Sequence, residues 1–141
     1  MKKIVALVIT ALLSACASEP YAIIDGSKSN PADDQNVDVY ITGIDGQRYF
    51  DDRKWDTLTP GHHDIQFTSS KADKNGNYRY TSVPLVLKPC VRYSVSAQHA
   101  SALRYDNKEW KIVIEEKPIK SCESLIKETP QNADVEQTTA P

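Results

Sequence analysis

Cys90-Val91-Arg92-Tyr93-Ser94-Val95-Ser96-Ala97-Gln98-His99 alternates apolar and polar residues. Val91, Tyr93, Val95 and Ala97 fall on one side, and Arg92, Ser94, Ser96 and Gln98 on the other. Successive side chains of a strand point to opposite faces, so this run predicts a β-strand with one face on a core. Downstream, Trp110, Ile112 and Ile114 alternate in the same way with Lys111, Val113 and Glu115. If the two runs pair antiparallel, the start of the first lies beside the end of the second. Pro118 then bends the chain inward and brings Cys122 towards Cys90.

Working upstream, the same period recurs. Val37 to Ile44 places Val39 and Ile41 opposite Tyr40 and Thr42, and Asp45-Gly46 follows as a tight turn. Gln47 to Phe50 reads as a short return strand and Asp51-Asp52-Arg53 as a bend. Trp55 and Leu58 are expected core contacts. Thr59-Pro60-Gly61 suits a type II turn. His63, Ile65 and Phe67 then alternate with His62, Asp64 and Gln66. Asn75-Gly76 predicts a hairpin into Tyr78–Leu87, where Pro84 marks an edge strand or a break. Tyr21-Ala22-Ile23-Ile24 is a candidate first edge strand within an otherwise polar stretch. Ser124 to Ile126 suits a last helical turn. Roughly six to eight short strands with regular turn signals predict an all-β fold, an antiparallel β-sandwich of immunoglobulin/transthyretin-like type. The sandwich is expected over 37–126, with a tether over 16–36 and a disordered tail over 127–141.

The N-terminus has its own logic. Lys2 and Lys3 precede an apolar run, Ile4 to Leu12, which is too short to span a bilayer of roughly 20 helical residues. It ends in Leu13-Ser14-Ala15-Cys16, which resembles a bacterial lipoprotein signal with its lipobox. The resemblance implies removal of residues 1–15 and lipid on Cys16, so that the chain is anchored to a membrane without crossing it. The residue after the cysteine is Ala17 and not aspartate, and the resemblance to Gram-negative lipoproteins then implies the outer membrane and its periplasmic face, with surface exposure open.

In that oxidising compartment Cys90 and Cys122 form an even pair, and one disulfide is expected between them. The net charge is −2, with basic and acidic residues intermixed, so nucleic acid is not an expected partner. Hydrophobic residues make up 40% of the chain, enough for one core of modest size.

The run Val39-Tyr40-Ile41, then Asp45-Gly46, then Leu58-Thr59-Pro60-Gly61-His62-His63-Asp64-Ile65, resembles a PEGA-type module, although Gln35-Asn36 stand where its opening Pro-Glu-Gly would be. The resemblance covers 37–67 and implies an extracytoplasmic β-sandwich without enzymatic chemistry. The second half, from Lys88-Pro89-Cys90 to Cys122, is similar to small proteobacterial lipoproteins of no assigned function.

Candidate chemistry is sparse. His62 and His63 are adjacent on a strand and point to opposite faces, so they make a poor metal pair. Asp73-Lys74-Asn75-Gly76-Asn77 begins like a calcium loop, but its glycine is one place early and Pro84 stands where the glutamate belongs. Ser94 or Ser96 with His99 and an aspartate would assemble a hydrolase triad only on paper, since no Gly-x-Ser-x-Gly elbow is present. No cofactor, metal or catalysis is expected. Tyrosines are many, and Tyr40, Tyr78 and Tyr80 are the candidate binding residues if they share an exposed face. The expected role is envelope structure or assembly through contacts with a protein partner. The alternative is a module for glycan or peptidoglycan.

Overall fold

The computed structural model describes residues 18–73, 75–103 and 109–128. Among these the strands are β1 (Ala22–Asp25), β2 (Asn36–Ile44), β3 (Gln47–Arg48), β4 (Trp55–Leu58), β5 (Gly61–Ser69), β6 (Tyr80–Leu87), β7 (Val91–Gln98) and β8 (Lys111–Pro118), followed by a short helix α1 (Glu123–Glu128). The fold is all-β and sandwich-like. One layer runs β4-β1-β7-β8 and the other β3-β2-β5-β6, with β2 belonging to both. Its first residues, Asn36 to Asp38, pair with β7, and from Val39 onward it pairs with β5. The register slips between Ile41 and Gly43, a bulge of the kind that lets a strand bend from one layer to the next.

The period-two residues of both layers meet between them. Ile24, Val39, Ile65, Phe67 and Val95 are fully buried, with Ile41 and Leu87 nearly so. Each such side chain contributes about 1.5–3 kcal/mol when removed from water. The β7–β8 hairpin has the expected register, from Val91 opposite Pro118 to Gln98 opposite Lys111. Cys90 and Cys122 are joined in a disulfide, their Cα atoms 5.2 Å apart. β7 departs from expectation on its polar side, where Ser94 and Ser96 are also buried. Neighbours on both edges and the Asn36 amide donating to Ser96 Oγ at 3.0 Å account for it.

Several expectations are corrected. β1 is no edge strand. It lies between β4 and β7 and runs parallel to β7, so the sandwich is mixed instead of wholly antiparallel. The fold therefore starts at β1, and the stretch taken for a tether contains a central strand. Its polar end is satisfied in place: Asp25 is buried and accepts hydrogen bonds from Arg92 at 2.7 Å and Ser27 Oγ at 2.6 Å. Burial alone would raise the Asp25 carboxyl, but these donors hold it below the usual carboxylate range. Residues 55–58 form β4, paired to β1, and Trp55 is 65% exposed instead of a core residue, whereas Leu58 does pack on the core. The Pro60-Gly61 turn is not type II. Gly61 has φ of 131° and already pairs with Leu87 as the first residue of β5. The helix extends to Glu128, past the expected start of the tail, and 129–141 lie outside the described residues.

His63 fastens two turns together. Its Nδ1 lies 2.7 Å from Asp45 Oδ2 and its Nε2 2.8 Å from the Thr59 carbonyl oxygen. Both partners are acceptors, so both nitrogens donate only when the ring is the imidazolium. Burial opposes that charge, but the two hydrogen bonds raise the His63 pKa above its ordinary 6.5. The Asp64 N–H and then His63 lower that of Asp45 below 3.8. The His63 contribution to stability is thus complete below 6.5 and lost as pH rises through its raised value. The Asp45 contribution is present above 3.8 and lost as pH falls through its lowered value. Asp45→Asn should therefore lower Tm more at about pH 5.5 than at about pH 8.5. Equal differences at the two pH values in thermal melts would show that His63 is not charged in the fold.

Candidate functional site

Away from the core, the outer face of β2, β5 and β6 carries Tyr40 and Thr42, Gln66 and Thr68, and Tyr80. The register sets Tyr40 beside Thr68 and Thr68 beside Tyr80. Strands lie about 4.8 Å apart, so the two tyrosines rise about 10 Å apart over a small residue. Thr68 is only 4% exposed and donates its hydroxyl to the Arg79 carbonyl at 3.0 Å, giving the space a fixed floor. Tyr78 enters from the approach to β6. Tyr49 and Phe50 come from the far side, where the Tyr49 N–H donates to the Thr42 carbonyl at 2.9 Å.

Together these residues line a cleft of about 210 Å³, with Asp52 at its rim. A second hollow of about 180 Å³ adjoins it and is lined by Arg48 and Gln66. Thr42, Tyr49, Phe50 and Tyr80 line both. Phe50 is 93% exposed and Tyr80 60%, a large apolar area held in water at one place.

Cations buttress two of the rings. Arg53 Cζ sits 4.1 Å from the Tyr49 ring centre, and Lys54 Nζ 5.4 Å from that of Tyr40. Each is neutralised by acids: Arg53 by Asp56 at 2.6 Å and Asp51 at 3.1 Å, Lys54 by Asp38 at 2.7 Å. Burial would raise the Asp38 carboxyl, but the bonds from Lys54 and Ser29 hold it low, and Asp38 in turn raises Lys54. The rings are therefore braced by a paired charge network.

Tyr40, Tyr78 and Tyr80, singled out from sequence, are thus brought to one site. Tyr49, Phe50, Thr68 and Asp52 join them unannounced. The aromatic pair Tyr49-Phe50 directly before the polar Asp51-Asp52 was the available signal.

No family model, curated protein or solved structure matches this chain.

The other candidates fall elsewhere. His62 is exposed and His63 is engaged as above. Asp73 turns its carboxylate to the backbone N–H groups of Asn75 at 2.8 Å and Asn77 at 2.9 Å, closing a loop. Ser94 and Ser96 do not meet His99; its Nε2 lies 2.7 Å from Ser69 Oγ, and both residues are buried. Among the described residues no group of three or more His, Cys, Asp or Glu side chains is disposed to hold a metal. Cys16 lies outside them.

Proposed function

We propose that the chain is a lipid-anchored, non-catalytic recognition domain of the outer membrane, facing the periplasm. It serves envelope structure or assembly by holding a partner in the cleft between Tyr40 and Tyr80. The cleft carries this reading: Phe50, Tyr78 and Tyr80 hold exposed aromatic rings around one hollow, beside Tyr40 and Tyr49, which cations brace. The lipobox, with Cys16 only five residues before Tyr21, supports the anchoring. An oxidising compartment fits the disulfide.

The placement of the site is consistent with such an anchor. Five residues span at most about 18 Å, so the end of the sandwich at Tyr21 stays near the bilayer. The Cys90 N–H donates to the Tyr21 carbonyl at 2.7 Å, which puts that end just beyond Leu87, the last residue of β6. Tyr80 opens the same strand, about 23 Å away at roughly 3.3 Å per residue. The cleft thus sits towards the end remote from the anchor.

A second reading, a protein partner on the β4 edge, draws on Trp55. It stands 65% exposed on a strand paired on one side only among the described strands. Crosslinking in intact envelopes separates the two. The cleft reading expects Tyr80→Ala to lose the wild-type crosslink and Trp55→Ala to keep it. The opposite pattern would move the site to β4.

A further inference from the structure

We infer that the occupant of the cleft is a carbohydrate, a linear oligosaccharide with one ring in each of the two adjoining hollows; this rests on the cleft being the recognition site. Three features of the lining select that class over a peptide anchor or a cationic group.

The first is the alternation of ring faces with polar groups. A pyranose presents C–H bonds on its faces and hydroxyls around its rim. Aromatic platforms suit the faces and short polar side chains suit the rim. Here Tyr80 and Thr42 line both hollows, and polar side chains join them in each, Gln66 in one and Asp52 and Thr68 in the other. Asp52 is exposed and takes part in no ion pair or hydrogen bond among the described residues, so its carboxylate is available to a pair of hydroxyls. A protein hot spot would instead call for a dry apolar pocket.

The second is charge. The Tyr49 and Tyr40 rings already carry Arg53 and Lys54 against them. A quaternary ammonium would have to share those ring quadrupoles with resident cations, whereas neutral C–H faces meet no such repulsion.

The third is size and continuity. Each hollow, about 210 and about 180 Å³, is smaller than a site for a drug-sized molecule, and four lining residues run through both. A chain of linked small rings fills such a double hollow, while a single compact ligand would leave one half empty. Thr68 is tied to the Arg79 carbonyl, and the Tyr40 and Tyr49 rings lie against their cations, so these parts of the lining need little ordering on binding.

The test titrates the full chain in detergent micelles with N-acetylchitotetraose and with cellotetraose, following the tyrosine ring resonances by NMR. Saturable binding of at least one saccharide is expected, with shifts at Tyr40, Tyr78 and Tyr80. Tyr80→Ala should weaken it by about tenfold or more, and Tyr80→Phe, which keeps the ring, by no more than about threefold. Trp55→Ala, outside both hollows, should bind as wild type. Absence of saturable binding by either saccharide, or equal affinity in Tyr80→Ala, overturns the inference. If neither saccharide binds while Tyr80→Ala still loses the envelope crosslink, the ligand class is wrong and the cleft stands. If Tyr80→Ala keeps the crosslink as well, the recognition site itself is elsewhere.

Discussion

Replacing Cys90 and Cys122 together by alanine should destabilise the domain by about 3–4 kcal/mol, through the chain entropy regained by the unfolded state. The bridge spans a sequence separation of 32, a loop that includes the whole β7–β8 hairpin. Both cysteines are buried, at 2% and 0% exposure, so their loss also removes packed sulfur from the join between layers and helix. The site is a junction. Cys90 donates its N–H to the Tyr21 carbonyl and accepts from the Ile119 N–H at 2.8 Å, holding the start of β1 and the approach to α1 together. For a domain of this size the loss corresponds to a fall in Tm of about 15–25 °C. Urea or thermal melts of the double variant decide it, and midpoints equal to wild type would mean that the fold holds this junction without the bridge.

Gly26→Ala should cost about 2–4 kcal/mol, the upper range for forcing extra volume into a packed site. Its N–H donates to the Lys54 carbonyl at 2.6 Å, and its carbonyl accepts from Val39 N–H at 2.9 Å. Gly26 is thus clamped between the approach to β4 and the middle of β2. A Cβ there would collide with the Val39 carbonyl oxygen and approach Val39 Cγ2 to 2.7 Å. Neither can yield without disturbing Val39, which is fully buried at the point where β2 changes layers. Gly46→Ala is the control. Gly46 has φ of 83° and open space around it, so alanine meets only backbone strain, about 1 kcal/mol. Denaturant midpoints should rank wild type, Gly46→Ala, Gly26→Ala. A Gly26→Ala midpoint at or above that of Gly46→Ala would show that β1 and β2 separate easily there.

Local patterning determined most of the strands. Period-two alternation over Val39–Ile41, Ile65–Phe67 and Val91–Ala97 identifies their buried faces, because a strand side chain has only two directions available. Asp45-Gly46 announces its hairpin, with both residues at positive φ, because few residue pairs tolerate that backbone. Cysteine parity and hairpin register predicted the bridge. What alternation could not convey is which strands become neighbours. β1 is four residues long and set in a mostly polar stretch, so it reads at most as an edge strand within a tether; its burial comes from β4 and β7, which lie far along the chain. Gly26 looks like a linker glycine for the same reason, since Val39 and Lys54 reach it only in three dimensions. Trp55 shows the converse: its size predicts burial, but the edge position of β4 leaves it in water. The cleft divides in the same way. Alternation alone turns Tyr40 and Tyr80 outward, whereas their meeting across Thr68, joined by Tyr49 and Phe50, depends on β2, β5 and β6 lying side by side in one register, a pairing that only the tertiary structure decides.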